Sequence, residues 1–280
     1  MCRHLAYLGP PATLRSVLID PPHGLYRQAW APRRQRHGTV NADGFGIGWY
    51  AEGDPVPARY RRGRPIWGDP SLPDLARVTR SAAVLAAVRD ASAGTAVGEQ
   101  AAAPFGSDQW LFSHNGRLEG WPDSAAAHAP AAATLLSLEA MVDSAFLWAL
   151  VLEWLHAGAA MDTALAATIA AIEAGGGTGR FNFLVTDGTS IAATAWGDTL
   201  WYRRSAESVV VASEPGDDQP GWTEVPDRHS LTATPAAVSV RPLAAEIPGF
   251  TAAARAHHAR HTDRADRTGN DVSNEGIVTR

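Results

Sequence analysis

The sequence predicts an α+β protein made of stacked antiparallel sheets. Short strand-like runs come first, two amphipathic helices follow back to back, and strand-like runs then return. Helices inserted once between two sets of strands do not build a parallel sheet, which needs strand and helix to alternate. No internal repeat is present.

Taken in order, residues 2–8 read as a strand ended by Gly9-Pro10-Pro11, because proline removes a ladder donor. A loop containing proline and arginine runs to about Gly38. Residues 45–50 alternate glycine or apolar residues with aromatics, as a tightly packed strand does, and residues 82–88 and 110–113 are buried-strand runs. Between these two lies a small-residue loop, 91–107, of the kind that covers a site. Residues 143–156 carry Phe146, Leu147, Leu150, Val151, Trp154 and Leu155 in one stripe at helical spacing. A second helix over 161–173 is stopped by Gly175-Gly176-Gly177. Residues 181–186 and 191–196 flank Asp187-Gly188, a hairpin signal, and 200–203, 208–212 and 238–240 continue the meander. From about Thr251 the chain turns polar and is read as a disordered tail, giving one domain over 2–250 and a tail over 251–280.

Composition narrows the chemistry. The 280 residues are 45% hydrophobic and 19% charged, with no apolar run long enough to span a bilayer and no signal-type stretch behind the opening Met-Cys-Arg-His. A soluble protein of a reducing cytoplasm is expected, because the single cysteine excludes an internal disulfide and a multi-cysteine zinc site. All 24 basic residues are arginine. That excludes a P-loop lysine, a kinase lysine and an internal Schiff base, and leaves the α-amine as the only primary amine. A net charge of −5 argues against a nucleic-acid partner, despite the local cluster Arg33-Arg34-Gln35-Arg36-His37.

The lone cysteine, Cys2, stands directly behind Met1. A residue this small permits removal of the initiator, after which a thiol and an α-amine share one carbon. The thiol is a strong nucleophile, and the amine, with a pKa of roughly 7.7–8.0, is a suitable base. Cys2 is equally suited to be a small apolar residue in the first strand. Other groups fall at strand and helix ends. In the His114-Asn115-Gly116 elbow, an Asn amide and the next backbone N–H can receive an oxyanion, or the pair can be a plain turn. Arg89, after the 82–88 strand, suits a carboxylate clamp or a surface ion pair. Asp143 suits a substrate ammonium or a helix N-cap.

Together, Met1-Cys2-Arg3, the segment from Asn41 to Trp49 (NADGFGIGW), Arg89, His114-Asn115-Gly116 and Asp143-Ser144 resemble the class II glutamine amidotransferases, a family of N-terminal-nucleophile hydrolases. The likeness runs in order from Cys2 to about Pro248. Three segments (residues 1–9, 33–50 and 110–121) are most similar to the γ-glutamyl hydrolases of ergothioneine biosynthesis, which act without a synthase domain. The resemblance implies a four-layer αββα sandwich, with Cys2 as nucleophile, its amine as base, and Asn115 with Gly116 as oxyanion hole. It further implies that Arg89 and Asp143, with His114 beside them, bind the γ-glutamyl group. No metal or cofactor is implied. The implied partner is a small γ-glutamyl molecule, with no membrane, nucleic acid or obligatory synthase domain, and the implied substrate is γ-glutamyl-hercynylcysteine sulfoxide, cut at its linear amide. The alternatives are a stand-alone glutaminase feeding a separate synthetase and a non-catalytic binding protein. Asp90 departs from the aromatic more usual after this arginine, and Gln100 from the His-rich loop of many glutaminases. A trimethylammonium group would suit aromatic faces, and Trp49, Trp110 and Trp121 are near the site residues in sequence.

Overall fold

Thirteen strands fall into two sheets in the computed structural model, which describes residues 2–91, 95–96, 98–128 and 135–243. The first sheet has the order β11-β9-β10-β1-β4-β2-β3, formed by Thr223–Glu224, Trp201–Arg204, Val209–Ala212, Arg3–Thr13, Arg80–Val88, Phe45–Trp49 and Ala58–Arg62. The second has the order β13-β12-β8-β7-β6-β5, formed by Val238–Pro242, His229–Ala233, Ile191–Ala195, Gly179–Thr186, Trp110–Leu118 and Phe105–Ser107. Every pairing is antiparallel.

Strand alternation sorts side chains into three cores. Ala6, Leu8, Leu85 and Val211 of the first sheet meet Leu111, Leu184 and Ala193 of the second in the slab between the sheets. On the outer face of the first sheet, Leu5, Ile47, Val84 and Ala86 pack under the short helices α1 (Leu14–Leu18), α2 (Leu25–Gln28) and α3 (Leu72–Val78). On the outer face of the second, Phe112, Phe181, Phe183 and Val185 pack under α4 (Asp143–His156) and α5 (Met161–Ala174). The result is the αββα sandwich of stacked antiparallel sheets.

Several elements differ from the sequence reading. β1 continues through Gly9-Pro10-Pro11 to Thr13: its register against β4 shifts between Leu8 and Ala12, so the prolines lie in the irregular stretch where no ladder donor is required. β6 does not end at an elbow after Ser113. His114, Asn115 and Gly116 continue the strand to Leu118, in register with Phe183, Asn182 and Phe181 of β7. Helices α1 to α3 and strands β3, β11 and β12 had no clear sequence signal. Met1–Leu243 form one compact unit, and the predicted boundary at 250 and tail over 251–280 lie outside the described residues.

Candidate active site

β1 and β4 lie side by side at the centre of the first sheet, Arg3 opposite Val88, so Cys2 and Arg89 emerge together from the same end of the pair. Arg89 is pinned there because its N–H donates to the Gly44 carbonyl (2.8 Å) and the Asp43 N–H donates back to its own carbonyl (2.9 Å). From the second sheet, β6 brings up Gly116. β5 pairs with β6 only over Trp110, Leu111 and Phe112, so the rest of β6 has β7 on one side and an open edge on the other. The Leu118 N–H leaves that edge to reach Asp143 Oδ2 (3.0 Å). Gly116 stands two residues earlier on the same strand, and its N–H therefore points off the same edge.

A narrow cleft lies where these ends converge, lined by Cys2, Arg89, Asp90, His114, Gly116, Asp143 and Ser144, with Thr95, Ala101, Ala103 and Phe105 along one wall. Burial pushes the Cys2 thiol above its ordinary range, with Asp143 adding to the rise, whereas a backbone hydrogen bond from Asp90 and the nearby Arg89 charge pull the other way. A thiol so placed is held as the neutral SH and needs a base at the moment of attack.

The two charged side chains of the cleft are unbalanced in a complementary way. Arg89 is 8% exposed; its guanidinium donates to the Ala96 carbonyl (2.9 Å), Thr95 Oγ1 (3.2 Å) and the Asp43 carbonyl (3.5 Å), all neutral acceptors. Asp143 is not the helix cap. Val142 holds that position with no side-chain bond, and Asp143 is the first helical residue, its carboxylate accepting from Leu118 N–H and from Ser144 N–H (2.8 Å). Among the described residues, no carboxylate pairs with Arg89 and no cation pairs with Asp143. A cleft with one guanidinium and one carboxylate left open suits a zwitterion, such as an amino acid's carboxylate and ammonium.

His114 lines the cleft, but both ring nitrogens are engaged within the protein. Nε2 lies 2.8 Å from the Arg180 carbonyl, which can only accept, so Nε2 carries the proton; Nδ1 then accepts from Ser144 Oγ (3.0 Å). Burial lowers its pKa and keeps the ring neutral, consistent with this tautomer. Against this packing Gly116 has no room for a side chain: a Cβ would overlap the Arg180 carbonyl oxygen and His114 Nε2. Asn115 lies on the opposite face of β6 from His114 and Gly116, toward the slab between the sheets. It is fully buried, its amide 3.4 Å from Ser213 Oγ. Trp49, Trp110 and Trp121 pack against the two outer cores and do not line the cleft. Sequence reading missed Ser213, which belongs to no motif and arrives from β10. Ser144 has no signal in the sequence beyond its place after Asp143. Among the described residues, no group of three or more His, Cys, Asp or Glu is arranged to hold a metal ion, and no helix is long and apolar enough to cross a membrane.

Comparisons with known proteins bear on the family of the chain. The sequence profile of the class II glutamine amidotransferases matches residues 25–207. A γ-glutamyl-hercynylcysteine sulfoxide hydrolase of Mycolicibacterium smegmatis is 44% identical over 245 residues, covering 87% of this chain and 100% of that protein. Its namesake in Mycobacterium tuberculosis is 42% identical over 243 residues, covering 87% of this chain and 97% of that protein. Among solved structures, a glutamine aminotransferase class-II domain protein of Silicibacter pomeroyi superposes with a TM-score of 0.62 at 26% identity, covering 87% of this chain and all of that one. With the αββα sandwich, the profile match and relatives matched along nearly their whole length, the chain belongs to the class II glutamine amidotransferase family.

Proposed function

We propose that this protein hydrolyses the γ-glutamyl amide bond of γ-glutamyl-hercynylcysteine sulfoxide, releasing glutamate in ergothioneine biosynthesis. The observation that carries the reading is the cleft itself, where the only thiol faces an arginine with no carboxylate partner and an aspartate with no cation partner among the described residues. Those are the groups that a γ-glutamyl head, with its α-carboxylate and α-ammonium, would complete. The relatives named for this substrate supply its leaving group. A lone functional thiol also suits a reducing compartment, and we assign the enzyme to the cytoplasm.

In the mechanism, removal of Met1 gives Cys2 its own α-amine. The amine takes the thiol proton as sulfur attacks the γ-carbonyl carbon and forms the C–S bond. The oxyanion rests on the Gly116 N–H and the Asn115 amide, a pair in which losing one donor costs roughly 10²–10³ in rate. The ammonium then protonates the departing nitrogen as the C–N bond breaks, leaving a γ-glutamyl thioester. Water, giving its proton to the same amine, attacks the thioester and frees glutamate and the thiol. Arg89 and Asp143 hold the head group throughout. His114 holds Ser144 through Nδ1 and the Arg180 carbonyl through Nε2.

Product analysis tests the assignment. Purified enzyme with the sulfoxide conjugate should yield glutamate and the free amine in equal amounts, with glutamine a poor substrate; rapid glutamine turnover with no action on the conjugate would overturn it. Intact mass should show Met1 absent. Cys2→Ala should bind the conjugate and lose activity by at least roughly 10⁴-fold, the scale on which other enzymes respond to losing their nucleophile.

A further inference from the structure

Ser213, just beyond β10, is fully buried and bound to β1 in both directions: its N–H donates to the His4 carbonyl (3.0 Å) and its Oγ accepts from the His4 N–H (3.0 Å). The same Oγ is 3.4 Å from the Asn115 amide. A hydroxyl that already accepts has one proton to donate. Among the described residues, the Asn115 amide is the only group left within hydrogen-bond distance of it. With Nδ2 turned toward Ser213, the hydroxyl proton has no acceptor and Asn115 Oδ1 is buried without a partner. Two unmet polar groups in one buried contact are costly. Turning the amide over satisfies the hydroxyl and Oδ1 together, because the hydroxyl donates to Oδ1 while still accepting from His4, and leaves one unmet group in place of two. The orientation of an amide is read from such partners. The remaining buried end is then Nδ2, a donor with no protein acceptor.

The two orientations have opposite chemical meaning. A carbonyl at the remaining end would repel a developing oxyanion, whereas an N–H would receive it. We propose that Ser213 is a positioning residue, whose hydroxyl fixes the Asn115 amide with Nδ2 as the end available to the reacting carbonyl. The proposal rests on the assignment of Asn115 to the oxyanion hole made above.

A double-mutant cycle tests it, run on whichever γ-glutamyl amide the unmodified enzyme turns over, conjugate or glutamine, so that an error in the leaving group does not disturb the result. Asn115→Ala should lower kcat by roughly 10²–10³. Ser213→Ala should lower kcat about 5- to 10-fold, the worth of one ordinary hydrogen bond, and leave KM within twofold. In the Asn115→Ala background, Ser213→Ala should cost nothing more. Ser213→Thr, which keeps the hydroxyl, should restore kcat to within a few-fold. An equal loss with and without Asn115, full kcat in Ser213→Ala, or a change confined to KM would each overturn the positioning role while leaving the oxyanion assignment standing. Full kcat in Asn115→Ala would overturn that assignment and this proposal with it. If Ser213→Ala does not fold, Ser213→Cys, similar in size but a weak donor, takes its place in the cycle with the same outcomes.

Discussion

The two sides of the cleft are built on different physics. The floor consists of strand ends and one helix start: Cys2 before β1, Arg89 after β4, Gly116 within β6 and Asp143 opening α4. Each is fixed by backbone ladder bonds or by buried polar partners such as His114, Ser144 and Leu118 N–H. The wall consists of the 98–106 segment and the stretch leading into α4, and both are held by charge. Glu139 accepts from Arg59 Nη1 (2.8 Å), Arg61 Nη2 (2.7 Å) and the Gly106 N–H (3.3 Å). That carboxylate therefore ties β3, the edge of one sheet, to β5, the edge of the other. The floor can move only if the sheets move, whereas the wall can move if one partly exposed ion cluster opens. Breaking the floor should therefore stop the chemistry, and breaking the wall should only loosen it.

Beyond the nucleophile itself, the largest effect is expected at Arg89. Arg89→Gln leaves the substrate carboxylate without its charge and planar fork, and Lys would restore only a point charge. Loss of a desolvated charge partner implies roughly 10²–10³ in kcat/KM, or about 3–4 kcal/mol. Because the carboxylate is held equally before and during reaction, the loss should appear in KM. Steady-state kinetics decide: a fall in kcat with KM unchanged would move Arg89 out of the binding role.

How much of this was legible in the sequence depends on the range of the forces involved. α4 and α5 were legible because their apolar stripes are local and periodic, β4 because Ala82 to Val88 is a continuous apolar run, and β7 because the Asp187-Gly188 hairpin signal follows it. β6 was cut short because His114, Asn115 and Gly116 look like a turn. They remain in the strand because Ser144, the Arg180 carbonyl and Ser213, all distant in sequence, receive their polar groups. The short helices α1 to α3 have too few residues to show a period. β3 was missed for a different reason: as an edge strand it carries Arg59, Arg61 and Arg62, charge that protects an edge but hides a strand pattern. Cys2, Arg89, Gly116 and Asp143 could be found by residue type and position, whereas the groups that orient them depend on tertiary contact.

A second prediction probes the floor through pH. His4 is fully buried two residues from the nucleophile, its Nδ1 3.2 Å from Ser113 Oγ, and burial, reinforced by the Arg3 charge, lowers its pKa to about 3. In the unfolded chain the same ring titrates near 6.5. Below that value the unfolded state takes up a proton that the folded state refuses, so stability is complete above pH 6.5 and declines as pH falls toward about 3. The slope from His4 should be roughly 1.4 kcal/mol per pH unit within that window. His114 is shifted in the same direction by burial and adds to it. Urea unfolding at pH 7.5, 6 and 5 measures the slope, and His4→Gln should flatten it even if it lowers stability at pH 7.5. An unchanged slope in that variant would show that His4 is not the group refusing the proton.

The smallest effect is expected from the wall. Arg59, Arg61 and Glu139 retain 28%, 15% and 24% side-chain exposure, so the cluster is partly screened and should contribute on the order of 1 kcal/mol. Yet it acts where Ala101, Ala103 and Phe105 meet Val142 and Asp143 along the cleft. Arg61 also donates to the Gln100 and Ala102 carbonyls, and Arg59 to that of Pro104, so the guanidiniums remain attached to the 98–106 segment when Glu139 is lost. Glu139→Gln should therefore leave the fold and the thiol's reactivity intact while raising KM a few-fold. The unmodified enzyme should approach the same KM as salt rises from 0.05 to 1 M, because screening weakens the same ion pairs, and the variant should respond less. The distinguishing result is the difference in salt response. Equal salt dependence in the two proteins would mean that the wall is held by packing of Phe105 and Val142, and that charge does not set the two sides of the cleft apart.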